Sequence, residues 1–215
     1  MARVGILGGT FNPPHVGHLV CAQEARTQLG LDVVRLVPVH TPPHKEAEHD
    51  PGPEVRLQLC RCAVDGAPGL EVSDVEVLRT GPSYTADTLR QIHAEHPEDE
   101  LTFIVGGDQA QGLPTWQEPE VVVRLARLAV AEREGIRRAD VRARLRDLCP
   151  PDRIAFFDMP RLDLSSSDVR RRVHDGRPIR WLVPDRVREH VEAHGLYAEA
   201  PQHRATLTHP GGHAA

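Results

Sequence analysis

A glycine-rich turn between an apolar run and a helical stretch constrains the fold more than any other feature of this chain. The run Val4–Leu7 predicts a strand, and the stretch Val16–Leu29 predicts a helix. Between them, from Gly8 to His15, the chain reads Gly-Gly-Thr-Phe-Asn-Pro-Pro-His. A helix that begins just after a strand directs unpaired amides and the positive end of its dipole at the turn. The turn therefore predicts an anion site at the end of the first strand.

Two histidines stand at this turn, His15 and His18, in the pattern His-x-Gly-His. The turn matches neither the dinucleotide-binding fingerprint Gly-x-Gly-x-x-Gly nor the P-loop, which needs Gly-Lys followed by Ser or Thr. A turn that only holds a nucleotide has no need of two imidazoles, so we infer transfer of a phosphoryl or nucleotidyl group. A zinc hydrolase is the alternative, although a helical zinc pair prefers histidines four residues apart and needs a third ligand.

A serine cluster followed by an arginine forms a second motif, from Ser165 to Arg170. It comes after the apolar run Ile154–Phe157, and serines are preferred where helices begin. Hydroxyls, free amides and the Arg170 guanidinium would then converge on another anion. An ordinary capped helix with a surface arginine is the alternative, and the presence of the first motif favours the anion site.

Apolar runs alternate with helical stretches along the chain, which predicts an α/β fold. We expect a Rossmann-like open, mainly parallel sheet with helices on both faces. The predicted strands are Val4–Leu7, Val33–Val37, Leu70–Val77 (allowing a break), Leu101–Val105, Leu125–Ala131 and Ile154–Phe157. The predicted helices are Val16–Leu29, Glu54–Val64, Thr85–His96, Arg138–Asp147, Ser167–His174 and Asp185–His194.

Size and composition narrow the class of protein. The 215 residues suit one domain over 1–197, followed by a tail over 198–215 that we expect to be disordered. A net charge of −5 argues against nucleic acid as a partner. No apolar run approaches the about 20 residues of a membrane span, so no membrane partner is expected. Four cysteines without a Cys-x-x-Cys pair indicate reduced thiols and a cytoplasmic protein. The arginine-rich segment 135–152 matches no motif, and we interpret it as either a surface helix or the contact of a homo-oligomer.

The two motifs together resemble those of the nucleotidylyltransferase superfamily. Its downstream motif has the form Ile-Ser-Ser-Thr-x-Ile-Arg, and here Ser167 stands for the threonine and Val169 for the second isoleucine. Further stretches narrow the resemblance: the Ser-Tyr-Thr segment that ends at Thr85, and Gly-Gly-Asp at Asp108 with Trp116 soon after. In this order, over residues 3 to 197, the set resembles the bacterial nicotinate mononucleotide adenylyltransferases.

The resemblance implies an enzyme that transfers the adenylyl group of ATP to nicotinate mononucleotide. The products would be deamido-NAD and pyrophosphate, formed by direct in-line attack with no covalent enzyme intermediate. Magnesium would arrive with ATP, because no cluster of carboxylates suggests a metal site of the protein's own. Phosphopantetheine and nicotinamide mononucleotide remain alternative acceptors, and a nucleotide-binding module without catalysis is the alternative from another class.

The same resemblance implies roles for individual residues. His15, His18 and Arg170 would be catalytic. ATP would be bound by Gly8, Gly9, Thr10, Phe11, His15, His18, Lys45, Gly106, Asp108, Ser165, Ser166 and Arg170. The mononucleotide would be bound by Lys45, Tyr84, Thr85, Asp108, Trp116 and Arg133. His40 stands where similar proteins often carry Asn or another small polar residue, so this loop departs from the family pattern at that contact.

Overall fold

The computed structural model describes residues 1–42, 49–132 and 137–198. Its strands are β1 (Arg3–Gly9), β2 (Val33–Pro38), β3 (Leu70–Val72), β4 (Glu100–Gly106), β5 (Ala126–Glu132) and β6 (Ile154–Asp158). Its α-helices are α1 (Val16–Leu29), α2 (Pro53–Val64), α3 (Thr85–Glu95), α4 (Gly107–Gly112), α5 (Pro119–Leu125), α6 (Arg138–Leu145), α7 (Ser166–His174) and α8 (Asp185–Ala193).

The six strands form one sheet in the order β3-β2-β1-β4-β5-β6. Every neighbouring pair is parallel. The chain builds outward from β1 in one direction through β2 and β3, and then returns to the centre to place β4 beside β1. In open α/β sheets, a ligand crevice forms at this change of direction, outside the carboxyl ends of the two central strands.

Both faces of the sheet are covered, because successive side chains of each strand point to opposite sides. Val4 and Ile6 of β1 belong to a core with α3, α4 and α5. Leu7 belongs to a second core on the other face, with Ala22 and Ala25 of α1. The predicted open parallel sheet with helices on both faces is therefore confirmed.

A third apolar cluster places the C-terminal helices. Leu59 of α2, Val169 of α7 and Val187 of α8 are buried against one another. This packing places the start of α7 beside the loop between β1 and α1. At the end of that loop, the amide of Val16 also donates a hydrogen bond to the carbonyl of Leu182. The two motifs that lie at opposite ends of the sequence thus meet in space.

Sequence reasoning misplaced some elements. The predicted helix Val16–Leu29 is confirmed at both ends, whereas the predicted strand Leu70–Val77 stops at Val72. Beyond it the chain turns, with the Leu78 amide donating to the Asp74 carbonyl and the Arg79 amide to the Glu76 carbonyl. Helices α4 and α5 were missed. Apart from residue 198, the predicted tail lies outside the described residues, and the single-domain boundary stays a prediction.

Candidate active site

The loop from β1 to α1 is shaped by close backbone contacts at its glycines. Phe11 has a φ of 50°, and its ring is buried against the loop. A Cβ built on Gly9 would come within 3.1 Å of that ring. A Cβ on Gly17 would come within 3.0 Å of the His15 ring. Both spacings are tighter than ordinary van der Waals contacts, so the two glycines let an aromatic ring and an imidazole fold back over the backbone.

His15 and His18 act on each other at the first turn of α1. His15 is the N-cap, and its amide donates to Nδ1 of His18 over 3.1 Å. The imidazole rings stack with centroids 3.7 Å apart, and the Phe11 ring meets His18 edge-on at 5.0 Å. Because Nδ1 accepts a hydrogen bond, a neutral His18 carries its proton on Nε2. Nε2 is therefore a donor held in a fixed direction at the helix start.

The serine cluster begins α7, as predicted, and its hydroxyls are engaged within the protein. Ser165 caps the helix, with its Oγ accepting from the Asp168 amide and donating to the Asp168 carboxylate. The Ser165 hydroxyl is also the main cause that lowers the pKa of Asp168. Ser166 Oγ donates to the Pro13 carbonyl over 2.8 Å. The predicted roles of Ser165 and Ser166 at the phosphates would therefore use backbone amides.

Arg170 lies against the glycine-rich loop. Its Nη1 donates to the Asn12 carbonyl over 2.8 Å, and its Nη2 donates to Ser167 Oγ over 3.2 Å. The guanidinium is thus fixed beside the loop that carries His15 and His18. The structure brings the three residues predicted to be catalytic into one place.

Tyr197 holds the same loop and was missed as a functional residue. Its hydroxyl donates to Asn12 Oδ1 over 2.7 Å, and burial raises the pKa of Tyr197 well above its usual range. Asn12 is almost completely buried. The only signal in the sequence was the Gly-Leu-Tyr segment that ends at Tyr197, which no local pattern connects to the loop.

Arg56 of α2 is a second residue that sequence reasoning missed. It is fully buried, and its guanidinium donates to the carbonyls of Thr10, Val39 and His40. Its Nε donates to the Asp50 carboxylate over 2.9 Å. Arg56 therefore joins the loops that follow β1 and β2. A signal existed, because the helical spacing places Arg56 on the buried face of the predicted helix Glu54–Val64.

A cavity of about 310 Å³ opens at the carboxyl ends of β1, β2 and β4. Its walls include the glycine turn, the first turn of α3 and an aromatic corner. Trp116 and Phe103 form that corner edge-to-face, with centroids 6.1 Å apart. The predicted site residues among its lining are Gly8, Gly9, Thr10, Tyr84, Thr85 and Trp116.

The start of α3 faces this cavity. Tyr84 is the N-cap and Thr85 the first helical residue. The first amides to bond back to the Tyr84 carbonyl are those of Asp87 and Thr88. The amides of Thr85 and Ala86 precede that bond and lie at the positive end of the helix dipole.

An ion-pair cluster fixes the segment after Trp116 to α3. Arg90 makes two hydrogen bonds to the Glu118 carboxylate, and its Nη1 also donates to Asp87 over 3.0 Å. Hydrogen bonding from Arg90 lowers the pKa of Glu118. Asp87, the acidic residue nearest to the helix start, is thereby paired with a cation of its own helix.

The other predicted residues differ in how they are placed. Gly106 caps α4 at the end of β4, whereas Asp108 is exposed and lies outside the cavity lining. Its proposed sugar contact stays a prediction. The His40 amide donates to Ser83 Oγ over 2.9 Å, so this loop is tied to the segment before α3. Lys45 and Arg133 lie outside the described residues.

Within residues 1–42, 49–132 and 137–198, no three His, Cys, Asp or Glu side chains lie together as a metal site would require. In the same ranges, no helix is both long and apolar enough to span a membrane.

A sheet of this topology with a paired-histidine loop at its crossover defines a nucleotidyltransferase, and comparison with known proteins agrees. Residues 6–172 match the family model described as cytidylyltransferase-like. The chain is 45% identical over 198 residues to a "Probable nicotinate-nucleotide adenylyltransferase" of Roseiflexus, covering 91% of this chain and 98% of that one. It is 41% identical over 197 residues to a protein of the same name from Desulfitobacterium hafniense, covering 91% and 95%.

Solved structures show the same fold. The nicotinic acid mononucleotide adenylyltransferase of Plasmodium falciparum, in complex with NaAD, aligns with a TM-score of 0.72 at 17% identity. The alignment covers 92% of this chain and 98% of that one. The chain belongs to the cytidylyltransferase-like family and, within it, to the nicotinate-nucleotide adenylyltransferases. The family predicted from the motifs, and with it a nucleotidyltransferase enzyme, is confirmed.

Proposed function

We propose that this protein transfers the adenylyl group of ATP to nicotinate mononucleotide, forming deamido-NAD and pyrophosphate. The observation that carries the proposal is the position of two helix starts, those of α1 and α3, beside a cavity at one sheet edge. The histidine loop suits a polyphosphate, and the cavity between α3 and Trp116 suits a flat aromatic ring with a negative substituent. The names of the curated relatives, which match over most of this chain, support the same reaction.

ATP would bind with its phosphates along the glycine turn. The amides at the start of α1 and α7, the Nε2 donor of His18 and the Arg170 guanidinium all lie beside this loop. His18 would stabilise the charge that grows at the α-phosphate, and Arg170 would bind the departing pyrophosphate. Lys45, from its own loop, would contact the phosphates of both substrates, and this role is carried over from the family alone.

The mononucleotide would place its pyridine ring in the cavity. Trp116 would stack on the ring, and the amides of Thr85 and its neighbour would receive the ring carboxylate at the start of α3. The 5′-phosphate would then point toward the glycine turn, which lines the same cavity. Gly106 and Asp108 would contact sugar hydroxyls, and Arg133 would help to position the mononucleotide.

The chemistry requires no nucleophile from the protein. The 5′-phosphate oxygen attacks the α-phosphorus of ATP, the bond from that phosphorus to the bridging oxygen breaks, and pyrophosphate leaves with the electron pair. Catalysis would consist of positioning and of donors aimed at the transition state. Magnesium, bound to the ATP phosphates, would neutralise part of the leaving group's charge. A cytoplasmic location, and substrates rather than nucleic acid or membranes as partners, belong to this proposal.

The test is a direct assay of acceptor choice. The protein is mixed with ATP and magnesium, and then with nicotinate mononucleotide, nicotinamide mononucleotide or phosphopantetheine in separate reactions. Pyrophosphate release and the dinucleotide product are measured. Release with the acid mononucleotide supports the proposal, whereas turnover of phosphopantetheine alone, or of no acceptor, contradicts it.

A further inference from the structure

A buried carboxylate in the cavity is left without a role by the proposed reaction. Glu76 lies in the turn between β3 and α3, lines the cavity and is only 5% exposed. Its Oε1 accepts a hydrogen bond from Thr88 Oγ1 over 2.7 Å. Its Oε2 is buried and has no hydrogen-bond partner of normal geometry among the described residues, although the Ser83 hydroxyl lies close enough to lower the pKa of the carboxyl. A buried oxygen of this kind is costly unless another group balances it, and burial outweighs the opposing charges of Arg79 and Arg56 in the pKa of the carboxyl, which points to a ligand as a further partner.

The surroundings of Glu76 are those of the pyridine site. Thr88, its partner, stands one turn into α3, with Oγ1 only 3.2 Å from the Tyr84 carbonyl. Thr85 and Trp116 line the same cavity. One carboxylate and an aromatic corner therefore face the space in which the acceptor ring would lie.

The acceptor ring supplies a charge that these groups complement. A pyridine joined to ribose through its nitrogen is a pyridinium, with a positive charge spread over the ring. Aromatic faces and carboxylates both attract such a cation, whereas the amides at the start of α3 attract only its carboxylate substituent. The cavity thus has a carboxylate and aromatic rings to match the positive charge of the pyridinium ring, and helix amides to match the negative charge of its carboxylate substituent.

We propose that Glu76 is a specificity-determining residue that acts as the counter-ion of the acceptor's pyridinium ring. This inference rests on the proposed function. It assigns recognition of the ring's positive charge to Glu76 and Trp116, and it leaves recognition of the carboxylate to the start of α3. A ring of the same outline without the positive charge should therefore bind less well.

The charge state of Glu76 gives a second signature. Burial raises the pKa of the Glu76 carboxyl. The hydroxyls of Thr88 and Ser83 and the charges of Arg79 and Arg56 act in the opposite direction. Below its pKa the carboxyl is neutral and cannot balance the ring. The KM for the mononucleotide should therefore rise as the pH falls through that pKa, with little change in the KM for ATP.

The decisive experiment compares two acceptors that differ in ring charge, nicotinate mononucleotide and its 1,4-dihydro form. Values of kcat/KM are measured at mildly alkaline pH for the parent and for Glu76→Gln, which keeps the shape of the side chain. We expect the parent to prefer the pyridinium acceptor, and Glu76→Gln to reduce that preference by about tenfold to a hundredfold, the scale of one partly screened charge pair. The acidic rise of KM should also disappear in the variant.

Controls separate this role from a structural one. Glu71→Gln removes an exposed carboxylate of β3 that pairs with Arg35, and it should leave the preference unchanged. Thr88→Val removes the hydroxyl bound to Glu76 but leaves the carboxylate charge in place, so it should preserve the preference for the pyridinium acceptor. If Glu76→Gln lowers kcat/KM for both acceptors alike, or if the variant fails to fold and the parent shows no acidic rise of KM, the inference is wrong. Failure of the parent to use any pyridine mononucleotide would instead overturn the proposed function.

Discussion

Replacement of His18 separates the capping bond that the structure shows from the phosphate contact that we propose. Nδ1 accepts a hydrogen bond from the amide of His15, the N-cap of α1, and this bond leaves the proton on Nε2, the donor proposed to contact the phosphates. Loss of this capping-box bond, in which the N3 side chain accepts from the N-cap amide, costs about 1 kcal/mol of stability. Loss of one well-placed transition-state donor costs about 3 kcal/mol, or a hundredfold or more in kcat. His18→Ala should therefore show both effects, with a much smaller change in the KM for ATP.

Two isosteric variants divide the effects. The amide of His18→Asn can still place an oxygen near the Nδ1 position, so it should recover the stability and leave kcat about a hundredfold low. The amide nitrogen of His18→Gln lies near the Nε2 position, so it should recover part of kcat. The assays are thermal unfolding and steady-state pyrophosphate release, with the exposed His96→Ala as a control. Near-normal turnover of either His18→Ala or His18→Asn would refute the reasoning.

Three further outcomes are expected. Arg170→Lys keeps the charge but loses the planar fork that contacts the Asn12 carbonyl and Ser167, so the rate of pyrophosphate release should fall at saturating substrate. If Arg170→Ala is as active as the parent, the serine-arginine motif is only a capped helix. Nicotinate mononucleotide should exceed the nicotinamide form in kcat/KM by roughly 30- to 10⁴-fold, since an amide would leave two buried donors at the start of α3 unpaired at about 1–3 kcal/mol each; equal values would contradict this. Arg56→Met should lower the free energy of unfolding by about 3 kcal/mol or more in denaturant titrations, because three loop carbonyls lose their buried donor; a loss under about 1 kcal/mol would contradict it.

Local sequence patterns predicted most of the fold and the two motifs of the proposed phosphate site. The helix Val16–Leu29 was predicted to the residue because the glycine turn limits its start. The β-strands were predicted to within one or two residues wherever a buried apolar run marks them, and only the third, Leu70–Val72, was much shorter than expected. Helices α4 and α5, of six and seven residues, were missed because neither is long enough to show a helical period.

The supports of the site were harder to predict. Arg56 and Glu76 are charged residues, which are seldom fully buried, so their types favoured a surface position. Helical spacing was the one signal for the burial of Arg56, whereas only the packing of the turn after β3 places Glu76 inside. Tyr197 and Asn12 are 185 residues apart, and no local pattern reports a contact over that separation.

The long distance in sequence between Asn12 and Tyr197 affects the order in which the site forms while the chain is being synthesised. The loop with His15 and His18 is made first, but the donors that hold its carbonyls and its Asn12 side chain come from Ser166, Arg170 and Tyr197. A chain still growing on the ribosome can form the first strands of the sheet while these donors are missing. The loop that carries His15 and His18 therefore gains its full set of hydrogen bonds only after the C-terminal segment has been made.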